Sequence, residues 1–117
     1  MTTAQGRNKA VAAPALRVGA LAVATRDTGV CRMGEPGVCY EVYAIGDRPG
    51  WSFIFAEGGH DGFSPDEVAL MLHVTGQEAE DVAGYAFGSV VQRARDYEAG
   101  RFARAFALCR VGAEGRA

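Results

Sequence analysis

The sequence has few cysteines and no long uncharged apolar run. Its 117 residues include three cysteines, an odd number that shows no CxxC spacing. A disulfide framework is therefore a poor explanation of the fold, and we expect reduced thiols in a cytosolic protein. No uncharged apolar run reaches the roughly 18 residues of a membrane-spanning helix, which excludes such a helix on length. With 49% hydrophobic residues, a chain of this size is expected to form one domain with its own core.

The first residues imitate a secretion signal, because Arg7 and Lys9 precede an apolar run. Pro14 and Arg17 interrupt that run, and the residues after them alternate as in a strand. We therefore favour a disordered tail over residues 1–15 that leads directly into the domain.

Charge is distributed unevenly, although the net charge is only −2. Residues 1–26 hold four basic residues and no acidic one, and residues 27–81 hold eleven acidic residues against two arginines. Residues 82–117 hold six arginines against three acidic residues. The acidic middle argues against a nucleic-acid-binding surface there and favours a partner with a basic patch. Solvated surface charge without a partner is the alternative.

Two alternating apolar runs joined by a proline-glycine turn at residues 46–50 predict a β-hairpin. The uncharged face of its first strand is the expected core face and consists of Val38, Tyr40, Val42 and Ala44. The second strand places three aromatic side chains on the opposite face, namely Trp51, Phe53 and Phe55. A first strand over 16–25, kinked at Gly19, is expected before this hairpin, and a glycine-rich turn over 58–62 after it.

A helix start follows the hairpin with three signals at once. Ser64 is a capping residue, Pro65 fits the first helical position, and Glu67 completes a capping box. The apolar segment Val68–Val74 is expected to continue this helix until Gly76 ends it. The sequence leaves open whether that helix is buried or forms an interface.

The C-terminal third is expected to be helical. Ser89 is a second capping residue, and the helix after it has an apolar stripe formed by Val90, Ala94 and Tyr97. Its polar side consists of Gln92, Arg93, Arg95 and Asp96. Phe102 and Phe106 indicate a further short helix, followed by a flexible tail over 109–117.

The order of these elements resembles a small bacterial SH3-like barrel of the KOW-like kind. The matching features are the Val18-Gly19 opening, the Gly34-x-x-Gly37 turn, and an aromatic hairpin that ends in a helical turn. The resemblance covers Leu16–Val74, although Ala20 stands where such domains usually place a polar residue and their basic loops are missing. It implies peptide binding, RNA binding or docking within a larger complex.

The expected fold class is therefore α+β. It consists of a small SH3-like antiparallel β-barrel or curved sheet followed by two or three short C-terminal helices. A single domain over 16–108 is expected, with a β-rich half at 16–62 and a helical half at 64–108.

The sequence contains weak candidates for catalysis or metal binding. Cys31 or Cys39 with His60 and Asp61 resembles a nucleophile, a base and an orienting carboxylate, but nothing in the pattern brings them together. The only histidines are His60 and His73, and no ligand spacing typical of zinc is present. We therefore predict no catalytic residues, no metal and no cofactor.

The leading interpretation is a non-enzymatic accessory, adaptor or inhibitor protein that docks on another protein through an aromatic and acidic face. The residues expected to form that face are Tyr43, Trp51, Glu41, Glu57 and Asp61. The first alternative is a nucleic-acid-binding module that uses Arg93, Arg95, Arg101 and Arg104. The second alternative is a small cysteine-dependent enzyme. We expect a bacterial, cytoplasmic protein that has no membrane partner.

Overall fold

The computed structural model describes residues 16–115, with side chains as far as residue 109. Within this range the chain forms five strands and four helices. The strands are β1 (Ala20–Ala24), β2 (Pro36–Ile45), β3 (Arg48–Phe55), β4 (His60–Phe63) and β5 (Leu72–Glu78). The helices are α1 (Pro65–Met71), α2 (Glu80–Ala83), α3 (Val90–Glu98) and α4 (Ala103–Gly115). The α+β class is confirmed, and the expected tail over 1–15 lies outside the described residues.

The five strands form one antiparallel sheet in the order β4-β3-β2-β1-β5. The first four strands follow one another as a meander, and β5 then returns to pair with β1. The first strand is shorter than expected and begins after the predicted bend, where Gly19 has a φ of 100°. That backbone conformation favours glycine, and a Cβ atom there would also lie 3.0 Å from the carbonyl oxygen of Ala79.

One face of the sheet, here called the aromatic face, carries the expected aromatic side chains. The rings of Phe53, Phe55 and Phe63 lie 5.8 to 6.4 Å apart. Val68 of α1 and Cys31 of the β1–β2 loop cover them, and all five side chains are buried. Burying each phenyl ring contributes about 1.5–3 kcal/mol, so this cluster is a main source of stability.

The opposite face, here called the helical face, packs against the C-terminal helices. Its strand residues include Leu21, Val38 and Ile54. Phe102 and Phe106 pack against them, and both are buried. The i, i+4 spacing predicted that these two rings lie on the same side of the helix. The short helix α2, which the sequence did not predict, adds buried side chains to the same cluster.

A β-bulge in β2 changes which of its side chains share a face. Cys39 pairs with Phe53, whereas Val42 pairs with Trp51, so Tyr40 is the extra residue. Residues opposite each other in an antiparallel pair share a face. The prediction that Val42 and Ala44 continue the Val38 face is therefore wrong, and both are exposed.

The segment after α1 is a strand, which corrects the predicted helix over Val68–Val74. The capping box is confirmed, since Ser64 Oγ accepts from the Glu67 N–H and Glu67 accepts from the Ser64 N–H. The helix ends at Met71, because the next residues pair with β1, beginning with Leu72 opposite Ala24. The predicted helical half over 64–108 therefore contains a strand.

The glycine-rich segment 58–62 is also partly a strand, because β4 begins at His60. The turn itself is confined to the residues before it, where Gly58 has a φ of 100°. Gly59 lies so close to the β1–β2 loop that a Cβ atom would be 1.9 Å from the carbonyl oxygen of Val30. Only glycine allows the two loops this approach.

The third helix contacts the sheet through a different side from the one predicted. Ser89 caps it as expected by accepting from the Gln92 N–H. Val90 is 58% exposed, however, and Arg93 is only 5% exposed. The predicted apolar stripe is therefore wrong at Val90, whereas Tyr97 does pack against the cluster on the helical face. The expected tail after residue 109 is helical as far as Gly115, and residues 116–117 lie outside the description.

Candidate functional site

The β-bulge leaves Tyr43 at the uncovered end of the helical face. Tyr43 pairs with Gly50 on β3. The next residue of β3 on the same face is Ser52, which pairs with Gly62 on the edge strand β4. A Cβ atom at Gly50 would lie 2.4 Å from the Tyr43 ring, and one at Gly62 would lie 2.3 Å from its hydroxyl oxygen. The ring therefore lies across two strands in a space that both glycines keep open.

Three carboxylates lie close enough to Tyr43 to act on its pKa. Burial is the largest cause of the raised pKa of Tyr43, and Glu41, Glu67 and Asp61 raise that pKa further through their negative charge. Glu41 accepts from the Ser52 hydroxyl at 2.9 Å, so its position is fixed by the neighbouring strand. Glu67 is held by the capping box of α1. The result is an anionic rim around a half-buried aromatic ring.

A groove of about 230 Å³ lies beside the Tyr43 ring. Its wall and rim are formed by Tyr43, Ile45, Arg48, Pro49, Gly50, Ser64 and Glu67. Ile45 is 73% exposed, so an apolar side chain lies open to water next to the anionic rim. In the lining itself Arg48 offsets the charge of Glu67. Glu41 and Asp61 near Tyr43 add further negative charge, so the surroundings suit a ligand segment that combines an apolar side chain with a positive charge.

Two of the five residues predicted for the docking face, Tyr43 and Glu41, lie on the same face of the sheet. Asp61 pairs with Phe53 and therefore turns to the aromatic face, although its charge still acts on Tyr43. The expectation that Trp51 is exposed is wrong, because it is 3% exposed and its indole N–H donates to the Leu16 carbonyl. Its parity on β3 turns it to the aromatic face, where it belongs to the core.

Glu57, also predicted for the docking face, lies at the other end of the sheet. Glu57 lies two residues after Phe55, which pairs with Gly37. Gly37 lies six residues before Tyr43 along β2. At about 3.3 Å per residue this separation is about 20 Å. Glu57 lines a separate groove of about 390 Å³. There the carboxylate of Glu35 is occupied by the backbone N–H groups of Arg32 and Glu57, which indicates a role in shaping the loops.

Two residues beside Tyr43 were not among the site residues predicted from the sequence, namely Ile45 and Glu67. Glu67 was interpreted only as a helix cap, and Ile45 only as a strand residue. The signal that was available is the pair of glycines at Gly50 and Gly62, because small residues in strands often mark the close approach of another group.

The four arginines of the nucleic-acid alternative do not share one exposed surface. Arg93 is buried, which corrects its prediction as a surface residue. Arg101 lies over the Tyr85 ring at 5.5 Å. Arg104 lines a groove with three acidic residues, Glu78, Glu80 and Asp81. Only Arg95 is exposed without such a neighbour among the described residues.

Arg93 joins α3 to two strands of the sheet. Its guanidinium donates to the Tyr40 hydroxyl at 3.0 Å and lies 5.4 Å from the centre of the Tyr40 ring. It also lies 2.8 Å from Nε2 of His60. Burial lowers the pKa of His60, and the positive charge of Arg93 lowers it further. A guanidinium only donates hydrogen bonds, so His60 Nε2 is the acceptor and the ring is neutral.

The proposed cysteine, histidine and carboxylate arrangement does not form. Cys31 and Cys39 belong to the cluster on the aromatic face, whereas His60 pairs with Ile54 and turns to the helical face. Burial raises the pKa of Cys31, and it raises the pKa of Cys39 to about 12. Both thiols are therefore poor nucleophiles at neutral pH.

Within residues 16–115, no group of three or more His, Cys, Asp or Glu side chains is placed to hold a metal ion. Every helix of this part of the chain is too short or too polar to span a bilayer. Comparison with known proteins found no matching family model, no matching curated protein and no matching solved structure.

Proposed function

We propose that the protein is a non-enzymatic accessory protein that docks on a protein partner through the face formed by Tyr43, Glu41, Glu67 and Ile45, to which Asp61 on the edge strand adds negative charge. This set is called the Tyr43 face below. The observation that carries the proposal is the position of Tyr43, which lies on two glycines inside an anionic rim and beside an open groove.

The composition of the Tyr43 face supports a protein as the partner. An aromatic ring with a polar tip contributes contact area at little cost in conformational entropy. Exposed Ile45 adds an apolar contact, and carboxylates on the rim speed association with a positively charged surface. A basic segment of a protein has both kinds of group, whereas the phosphates of a nucleic acid would be repelled.

The resemblance to SH3-like barrels fits this proposal. The helix α1 follows the aromatic hairpin and β4, and β5 then returns to β1. The buried thiols of Cys31 and Cys39 support a reducing compartment such as the cytosol.

The proposal is tested by affinity capture from the native cell extract, with and without nuclease, followed by quantitative mass spectrometry. The bait is the full chain as wild type, as the double variant Glu41→Gln with Asp61→Asn, and as the control Glu57→Gln. The double variant removes two of the negative charges that act on Tyr43 while keeping side-chain shape, and the control removes one charge about 20 Å away.

We expect one stoichiometric protein that survives nuclease, is recovered by wild type and Glu57→Gln, and is reduced with the double variant. Recovery that depends on nucleic acid would overturn the proposal. Equal recovery by all three baits would also overturn it, because the partner would then bind elsewhere.

A further inference from the structure

His60 and Arg93 connect an edge strand to a helix that is distant in sequence. His60 is the first residue of β4, and Arg93 lies in the first half of α3. The two side chains approach to 2.8 Å between Nη2 and Nε2. Arg93 is 5% exposed, and its guanidinium contacts the hydroxyl and ring of Tyr40 and the imidazole of His60.

The hydrogen bond exists in one protonation state only. A guanidinium has five N–H donors and no acceptor, so the imidazole must supply a lone pair at Nε2 and carry its proton on Nδ1. A protonated imidazole donates from both nitrogens and cannot accept. Protonation would therefore replace the bond with two positive charges at the same place, one of them buried.

His60 is exposed to water on one side, and few acidic groups lie near enough to offset a second charge beside the buried guanidinium. Arg93 faces His60 from α3, and Asp61 on the same strand is the acidic group that acts on the ring. From β2 the neutral Tyr40 hydroxyl faces the same guanidinium. On β3 the residue opposite His60 is Ile54, which is apolar and buried.

We propose that His60 and Arg93 form a proton-sensitive lock that holds α3 on the sheet while His60 is neutral and releases it when His60 is protonated. The release is local. Tyr97 of α3 also donates to the Ala56 carbonyl at 2.8 Å, and Asp96 accepts from the Tyr85 hydroxyl at 2.6 Å, so opening starts at the N-terminal half of the helix. The lock does not use Tyr43, and Asp61 is the residue whose charge acts on both Tyr43 and His60.

The test measures amide hydrogen exchange along α3 of the full chain by NMR between pH 7.5 and pH 5, corrected for the intrinsic pH dependence of exchange. Because the pKa of His60 is lower on the sheet than its ordinary value near 6.5, lowering the pH below that value favours the released state, by at most about tenfold for each pH unit. We therefore expect protection of α3 to fall severalfold by pH 5, and protection of α4 to fall less.

Two variants make the test specific. His60→Gln keeps an acceptor oxygen at similar reach that does not titrate, so its α3 protection should not change with pH beyond the intrinsic correction. His73→Gln is the matched control, because His73 is exposed on β5 and should respond as wild type does. The same pH response in wild type and His60→Gln would overturn the lock.

A direct measurement on the wild-type chain does not depend on any variant folding. Long-range nitrogen NMR at pH 7.5 should show the His60 proton on Nδ1 and a lone pair on Nε2. A proton on Nε2 at that pH would overturn the proposal, whatever the exchange data show.

Discussion

The hydroxyl of Tyr43 lies over Gly62, so close that a Cβ atom at the glycine would come within 2.3 Å of the oxygen. The atom it would meet is the end of a side chain that can rotate, and Gly62 does not have a positive φ. A substitution here should therefore move the tyrosine rather than unfold the sheet.

Gly62→Ala is expected to lower the free energy of unfolding by less than about 1 kcal/mol while displacing the Tyr43 ring into water. Because burial and nearby carboxylates raise the pKa of Tyr43, its pKa should fall toward the ordinary value in the variant. An NMR titration of the tyrosine rings measures this. Gly84→Ala, which has no atom within 4 Å of the new carbon, is the control. An unchanged Tyr43 pKa would contradict the described packing.

Gly59→Ala should behave in the opposite way, because the obstacle is backbone. The added carbon would lie 1.9 Å from the Val30 carbonyl oxygen, so one of the two loops must move. We expect a loss of about 1–3 kcal/mol in urea unfolding. Gly29→Ala on the facing loop has no atom within 4 Å and should cost much less. Similar losses in both variants would mean that the loops do not meet at Gly59.

Phe53→Ala should lower the free energy of unfolding by about 3–5 kcal/mol, since the ring is fully buried between two other phenyl rings. Val91→Ala removes apolar atoms from a side chain that is 60% exposed, and it should change stability by less than about 0.5 kcal/mol. Denaturant unfolding of the two variants compares them. A loss below about 1 kcal/mol for Phe53→Ala would mean that the faces of β3 are assigned backwards.

The Cys39 thiol predicts a loss of stability at alkaline pH. Burial raises its pKa to about 12 in the folded chain from a usual value of 9.0, so the unfolded chain releases this proton first. Stability should then fall as pH rises above 9, by about 1.4 kcal/mol per pH unit for this group. Unfolding measured at pH 8, 9 and 10 should show a shallower fall in Cys39→Ala. Equal slopes in the two chains would show that folding does not raise the pKa of Cys39.

The local turn and cap chemistry of this chain was readable from sequence, and so was the hairpin. Ser64, Pro65 and Glu67 act within one turn of helix, so their spacing alone determines the cap. The alternation of Trp51 and Phe53 also agrees with the described aromatic face.

The errors come from contacts between distant segments. The apolar residues after Val68 favour a helix locally, but Leu72 begins a strand because β1 offers it hydrogen-bond partners. The bulge at Tyr40 adds one residue without any glycine or proline to mark it, and this reverses the face of every later side chain in β2. The sequence predicts Arg93 on the exposed side of α3, whereas its two partners lie in strands 33 and 53 residues earlier. The local pattern around Arg93 gives no sign of them.

The same long-range pairing has a consequence for the order in which the chain folds. The meander from β1 to β4 closes through short connections, but the second neighbour of β1 is β5, roughly 50 residues later. Local hairpins form before contacts that close long loops. Until β5 pairs with it, β1 therefore has one edge whose backbone donors and acceptors are unpaired. During synthesis that open edge persists until residue 78 has left the ribosome, and a nascent chain halted earlier exposes a template for pairing with its neighbours.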